Sequence, residues 1–301
     1  MLKSNLKAHI ALFLVNALYG AGHIIAKGVM PDYLSPNVFI LLRVTGATIL
    51  FWILYLLFSR EKIDRKDVLL LAFCGLFGVA INQLFFFNGL NLSSSVNSGI
   101  IMTVNPILVV ILSFFVLKEK LTSFKIFGIL LGATGAILLT LSSGRHGNST
   151  LLGDTFLFIN ALSYAVYLII SKPLMKKYSP LTVVTYVFTF GLLFVLVFPL
   201  TIQELGVTDF SIIPEAAWWK IVYIILGVTF FTYLLTMYGL KYLSASISSS
   251  YIFFQPVLLI LFIFLLSFFN ISEDYSHTIT ADKFIYMGLI FGGVYLVSKS
   301  K

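Results

Sequence analysis

Charged side chains are scarce in this sequence. Only 11% of the 301 residues are Asp, Glu, Lys or Arg, against roughly 25% in a typical soluble domain. Hydrophobic residues make up 59%, and the mean hydropathy is +1.01. A chain this apolar must face lipid over most of its surface, where only helices or a closed barrel satisfy the backbone. Because the apolar runs reach 20 residues without alternation, they predict helices.

Groups that carry out chemistry are also few. Cys74 is the only cysteine, so no internal disulfide can form. No Asp or Glu lies deep within an apolar run, which disfavours transport driven by a buried carboxylate. The motifs of zinc proteases, nucleotide-binding loops and serine hydrolases are absent from the sequence. We therefore expect neither an enzyme nor a bound metal or cofactor.

Apolar runs of membrane-spanning length follow one another along the whole chain. The first run, after Lys3 and Lys7, resembles a signal peptide but has no clear cleavage site, so we interpret it as a retained helix. An all-α integral membrane protein of ten transmembrane helices is predicted. The predicted spans are 8–27, 37–58, 68–90, 94–117, 122–142, 152–171, 181–203, 218–241, 244–269 and 282–298.

Basic residues are unevenly distributed among the loops. With the N-terminus placed in the cytoplasm, that side of the membrane holds 15 of the 20 Lys and Arg residues. Positive charge is enriched in cytoplasmic loops, so the N- and C-termini are both predicted to be cytoplasmic. The same rule accounts for the net charge of +8, and no nucleic-acid partner is expected.

The sequence contains an internal repeat, with offsets of 144 residues near its start, 150 in its middle and 160 at its end. It predicts a first unit at 1–143 and a second at 150–299, with length differences confined to loops. The matching segments are Asn16-Ala17-Leu18 with Asn160-Ala161-Leu162, Ser35-Pro36 with Ser179-Pro180, Gly89-Leu90 with Gly239-Leu240, Asn105-Pro106 with Gln255-Pro256, and Gly128 and Gly132 with Gly288 and Gly292.

Each unit has five spans, and this odd number predicts that the second unit is inverted relative to the first. Inverted repeats are typical of secondary transporters, whose substrate path lies at the repeat interface near the middle of the membrane. Glycines at small-xxx-small spacing in the fifth and tenth spans predict close packing of these helices, or a homodimer contact.

Pro106 and Pro256 lie in the fourth span of each unit, each directly after an amide side chain. We interpret them as kinks, which either only shape packing or also line a central cavity. Asn16 and Asn160 are related by the repeat and should point into the bundle, because an unpaired amide in lipid is costly.

Arg43 is the only strong charge well inside a span, where insertion costs roughly 2.5–3.5 kcal/mol. It either snorkels to the membrane surface or faces the cavity as an anion-attracting cation. Other polar groups within the spans complete the predicted cavity. Its residues are Asn16, His23, Arg43, Asn82, Asn97, Asn105, Pro106, Asn160, Tyr164, Gln255 and Pro256.

These features resemble the EamA-type members of the drug/metabolite transporter superfamily, which have two five-helix repeats. The resemblance rests on Gly89-Leu90, Asn105-Pro106, Glu119-Lys120-Leu121 and the glycines from Gly128 to Gly135. Arg43 and Lys27 match basic residues common in the second and first helices of that family. The second half keeps Pro256 and Gly288 but lacks a glutamate at the expected place.

The resemblance implies a bacterial inner-membrane permease or exporter of small metabolites, most often amino-acid-like solutes, working by alternating access or facilitated diffusion. Its expected partners are a small-molecule solute and membrane lipid. Two alternatives remain open at this point: an exporter of drugs and toxic compounds, and a membrane receptor or scaffold that transports nothing.

Overall fold

The described part of the chain is helical and contains no strand. It comes from a computed structural model and comprises residues 2–27, 29–30, 32–93, 98, 101–142, 150–255, 257–258, 261–262 and 281–299. The helices are α1 (Leu2–Lys27), α2 (Pro36–Phe58), α3 (Arg65–Leu92), α4 (Val104–Val116), α5 (Ser123–Ser142), α6 (Leu151–Leu174), α7 (Pro180–Leu196), α8 (Pro199–Val207), α9 (Glu215–Tyr242), α10 (Ala245–Ser250) and α11 (Ala281–Lys299). A 3₁₀ segment, Tyr251–Phe254, continues α10, and a short one, Phe210–Ile212, precedes α9.

Several of these helices are long and apolar enough to cross a membrane. Within the described residues, α2, α3, α5, α6 and α9 meet both conditions, and α7 with α8 gives a sixth if the bent pair is one span. The ends of α2, α5, α6 and α9 fall within three residues of the predicted spans. The chain is therefore a helical protein with several membrane-capable helices.

The seventh predicted span, 181–203, is wrong as one straight helix. It is divided into α7 and α8, whose axes differ by 72°. Pro199 is the first residue of α8, where its missing N–H and fixed φ are compatible with a helix start but not with a continuing helix.

The interpretation of Pro106 as a kink within a continuous helix is also corrected. A turn at Thr103 interrupts the helix, and α4 begins at Val104. Pro106 thus lies in the first turn of α4, where backbone N–H groups have no partner within the helix and the missing donor costs little.

The matched Ser-Pro segments begin the second helix of each half. The Ser35 hydroxyl accepts from the Val38 backbone N–H at 3.5 Å, and the Ser179 hydroxyl accepts from Thr182 at 3.2 Å. The following proline is the first helical residue in both places. Each pair therefore combines an N-cap hydroxyl with a proline whose φ is already set for a helix.

Wide π-helical turns occur in α3 and α9, at Leu76–Ile81 and Ile224–Phe231. Their last residues are 150 apart, which is the repeat offset of this region. The sequence analysis did not predict them. Short π segments within α-helices are frequent at functional sites, and both of these face the centre of the protein, where Gly78 and Thr229 are buried.

Helices of the two halves pair in a pattern with approximate two-fold symmetry. α1 packs against α9, and α3 packs against α6, which is the equivalent pair with the halves exchanged. α2 contacts α7, α4 contacts α10, and α5 contacts α11, so that each of these helices meets its own counterpart. This exchange is the arrangement expected of two intertwined, inverted units.

The predicted packing of the fifth span against the tenth is present as a close contact between α5 and α11. A β-carbon at Gly128 would lie 2.8 Å from the Gly293 carbonyl oxygen, so the backbones nearly touch. The prediction is wrong in part for α11. A β-carbon at Gly288 would meet no heavy atom within 4 Å, and one at Gly292 would meet only the Leu131 side chain.

Candidate functional site

A cavity of about 380 Å³ lies between the two halves of the chain. Its wall is built by α1, α2, α3 and α4 from the first half, and by α6, α9 and the α10 region from the second. Sites for small molecules usually measure roughly 300–1,000 Å³ and combine an apolar wall with a few placed polar groups. The cavity meets both conditions.

Seven of the eleven predicted cavity residues line this wall. They are Asn16, Arg43, Asn82, Asn105, Asn160, Tyr164 and Gln255. Pro106 is buried but does not line the cavity. The side chain of His23, and the residues Asn97 and Pro256, lie outside the described residues.

The amide side chains on the wall also join the two halves. Gln255 Nε2 donates to Asn16 Oδ1 at 3.0 Å, connecting the α10 region to α1. In the equivalent place, Asn105 Nδ2 donates to the Ala161 carbonyl oxygen at 2.7 Å, connecting α4 to α6. Asn160 Nδ2 donates to the Asn82 carbonyl oxygen at 2.7 Å. These bonds fix the orientation of each amide and leave its remaining polar atoms available.

One hydrogen bond joins repeat-related residues directly. Gln83 Nε2 donates to the Tyr233 phenol oxygen at 2.7 Å, and the phenol donates to the Gly78 carbonyl oxygen at 2.7 Å. Gln83 lines the cavity and Tyr233 is 2% exposed behind it. The bond therefore crosses the approximate two-fold axis beside the two π segments.

Arg43 is 3% exposed and lies on the cavity wall. Its Nε donates to Thr229 Oγ1 at 3.1 Å, in the π segment of α9. The guanidinium carbon lies 4.8 Å from the centre of the Phe87 ring and 5.5 Å from that of Phe39. Cation–π contacts of this kind contribute about 0.5–2 kcal/mol each, which offsets part of the cost of burying the charge.

The cavity extends towards one end of the bundle. Its wall includes Asn91, which is exposed at the end of α3, and the half-buried residues Met30 and Pro36 between α1 and α2. These residues belong to loops that the charge distribution places outside the cell.

At the opposite end, polar contacts between the halves close the bundle. Glu119 Oε1 accepts from the Ala245 backbone N–H at 3.0 Å, and Glu119 Oε2 accepts from the Ser246 hydroxyl at 2.6 Å. Lys125 forms an ion pair with Glu119 at 3.1 Å. The Lys172 ammonium donates to the carbonyl oxygens of Leu240 and Leu243. The glutamate thereby caps the start of α10 with a negative charge, a favourable position.

The loop between α2 and α3 makes a similar contact with the start of α7. Glu61 Oε2 accepts from the Ser179 backbone N–H at 2.9 Å and from the Thr182 hydroxyl at 2.5 Å. Burial raises the pKa of the Glu61 carboxyl, but these hydrogen bonds outweigh it and hold the pKa below its usual value. Nearby, Lys177 forms an ion pair with Asp67 at 2.9 Å, and this hydrogen bond raises the pKa of Lys177.

Most of the wall that sequence reasoning missed is apolar or aromatic. Tyr19, Phe86, Phe87 and Ile252 belong to it, together with the polar residue Thr236. A phenylalanine in a membrane span carries no signal that separates a cavity face from a lipid face. The repeat offset gives a signal only where both copies keep similar residues.

The model of the EamA-like transporter family matches this chain twice, over residues 6–141 and 151–299. The chain belongs to the EamA-like transporter family. It is thus a member of the drug/metabolite transporter superfamily with the two-repeat EamA architecture, which confirms the resemblance found in the sequence.

Curated relatives of this EamA-family chain carry transporter names. It is 26% identical to the uncharacterized transporter YetK of Bacillus subtilis over 98% of this chain and 88% of that protein. A transporter of Archaeoglobus fulgidus is 28% identical over 89% and 91% of the two chains. A WAT1-related protein of Arabidopsis thaliana is 30% identical over 56% and 54%. One solved crystal structure superimposes with a TM-score of 0.75 at 19% identity, covering 99% and 98% of the two chains, and supports the fold.

Proposed function

We propose that this protein is a multi-pass membrane permease that moves a small, amino-acid-like metabolite through the cavity between its halves. The observation that carries the proposal is the placement of repeat-related amides, Asn16 with Asn160 and Asn105 with Gln255, on one cavity wall. Transporters built from inverted repeats bind their substrates at such an interface.

The proposed topology has ten spans, with both ends in the cytoplasm of a bacterial inner membrane. It is supported by the excess of basic residues on one side, 15 of 20. In this orientation the described cavity reaches the outer end of the bundle, and the contacts of Glu119 and Glu61 close the cytoplasmic end. Alternating access then consists of exchanging these two conditions between the halves.

A broad-specificity exporter of lipophilic compounds is the second candidate. The apolar part of the wall, which includes Leu12, Val15, Phe86 and Met102, favours it. The amides favour a polar solute, because each buried amide atom that faces a lipophilic compound loses a hydrogen bond and its desolvation cost stays unpaid, about 1–3 kcal/mol per group.

Transport by the purified chain in proteoliposomes tests the proposal. A panel of labelled amino acids, organic acids and lipophilic cations is compared with protein-free vesicles. Asn82→Ala, on the cavity wall, should reduce the flux of the accepted solute. Asn88→Ala is the matched control, because Asn88 lies on the same helix, bonds to Asn37 and does not line the cavity.

Flux of a small polar metabolite with the expected difference between the two variants would support the permease. Flux confined to lipophilic cations would select the exporter. If no compound crosses faster than in protein-free vesicles, the proposal is wrong.

A further inference from the structure

Arg43 gives the cavity an unbalanced positive charge. Among the described residues that line the cavity, it is the one with a charged side chain. The ion pairs found in the described part of the chain are Lys125–Glu119 and Lys177–Asp67, so no carboxylate there neutralises Arg43. A net positive cavity in a low-dielectric protein attracts an anion more strongly than a neutral solute.

The surroundings of the guanidinium leave one edge for a ligand. Its Nε is occupied by Thr229, and the rings of Phe39 and Phe87 lie within 5.5 Å of its carbon atom. Within the described chain, neither Nη atom donates to a protein acceptor. The two Nη atoms of an arginine form a planar fork that binds a carboxylate through parallel hydrogen bonds.

A second group of atoms on the same wall also has no partner. Asn105 Oδ1, Thr236 Oγ1 and Ser248 Oγ are buried and make no hydrogen bond within the described chain. Asn105 Nδ2 is held by the Ala161 carbonyl, so Oδ1 is the atom that stays free. Buried polar atoms are nearly always paired, and a ligand hydroxyl, which both donates and accepts, can pair with this group.

We propose that the substrate is a small carboxylate anion that also carries a hydroxyl or similar hydrogen-bonding group. Arg43 binds the carboxylate, and Asn105, Thr236 and Ser248 bind the hydroxyl. A zwitterion is disfavoured because the described wall offers no carboxylate to its ammonium group. This inference rests on the proposed permease function and names the charge class of its substrate.

Probes with one shared skeleton separate charge from shape. 3-Phenyllactate is an anion with a hydroxyl, phenylalanine is the corresponding zwitterion, 3-phenyllactamide is the neutral amide, and 3-phenylpropionate lacks the hydroxyl. Binding of each to the full-length protein in detergent is measured by calorimetry, and uptake is then measured in proteoliposomes. The expected order is 3-phenyllactate first, with at least tenfold weaker binding of the amide and the zwitterion.

Variants assign the two contacts. Arg43→Gln should weaken 3-phenyllactate binding at least tenfold, and Arg43→Lys should weaken it less because it keeps the charge but loses the fork. Arg60→Gln, the same change at an exposed arginine outside the cavity, should have no effect. Ser248→Ala should reduce the preference for 3-phenyllactate over 3-phenylpropionate. Should Arg43→Gln fail to fold, the order of the four probes on the wild-type protein still decides.

Equal binding of the zwitterion or the amide would overturn the inference, as would the absence of carboxylate binding at millimolar concentration. Uptake of phenylalanine without 3-phenyllactate would refute this inference and leave the permease intact. Binding of 3-phenyllactate with no flux of any compound would refute the permease and leave the anion site intact.

Discussion

The close contact between α5 and α11 permits a test with two substitutions of the same kind in one helix. A β-carbon at Gly293 would lie 2.5 Å from the Gly132 backbone nitrogen and 2.6 Å from the Gly128 carbonyl oxygen. Both atoms belong to the backbone, so the helices would have to separate. Gly288, five residues earlier on α11, has no heavy atom within 4 Å of the corresponding position.

The expected difference in unfolding free energy follows from these distances. Gly→Ala in a helix gains about 1 kcal/mol from backbone propensity, and this gain is common to both variants. Gly293→Ala also carries the cost of overpacking, about 1–3 kcal/mol. For a chain of 301 residues, an unfolding entropy of about 2.1 cal/mol/K per residue converts this cost to about 2–5 °C.

Cys74 supplies the assay, because it is the only cysteine and its side chain is fully buried. A maleimide dye that becomes fluorescent on reaction reports the exposure of this thiol during heating at a fixed rate. Gly293→Ala should unfold about 2–5 °C below Gly288→Ala. Equal midpoints, or a higher midpoint for Gly293→Ala, would refute the packing argument.

Three further predictions concern the polar contacts between the halves. Gln83→Leu and Tyr233→Phe, measured singly and together by the same thiol assay, should show a coupling energy of about 0.5–1.5 kcal/mol from their hydrogen bond; strictly additive effects would contradict it. The pKa of Glu61 is lowered in the folded protein, so its contribution to stability is complete above its unfolded pKa of about 4.3 and is lost as the pH falls through the folded value. Glu61→Gln should remove that part of the pH dependence, and unfolding midpoints between pH 3 and 6 with the same slope as wild type would refute this. Glu119→Ala should loosen the end opposite the cavity mouth, so that an impermeant maleimide added outside reacts more slowly with a single cysteine at Ser248, after the native cysteine has been replaced. An unchanged rate would show that Glu119 does not hold that end closed.

The repeat in the sequence was sufficient to predict much of the candidate site, because inverted copies bring equivalent positions to one interface. Asn16, Asn160, Asn105 and Gln255 were chosen in this way, and all four line the cavity. Gln83 and Tyr233 are separated by the same offset of 150 residues. They were not chosen because the two residue types differ, and matching by identity cannot show that one donates to the other.

Other features depend on packing that residue types do not encode. The π segment Leu76–Ile81 has no residue that distinguishes it from an ordinary apolar helix. The rotation of α11 about its axis was also not predictable. Sequence spacing suggested Gly288 and Gly292 as contacts, whereas the structure brings Gly293 and the fully buried Ile290 and Val297 to α5.

The pairing of α5 with α11 also has a consequence for synthesis. About 140 residues separate the end of α5 at Ser142 from the start of α11 at Ala281. At ~5–20 residues per second, this distance takes about 7–30 s to translate. During that time the glycine face of α5 meets lipid or another transient neighbour, and a chain that stops before α11 never covers it. The contact that joins the two halves most closely in this region is thus among the last that the ribosome makes available.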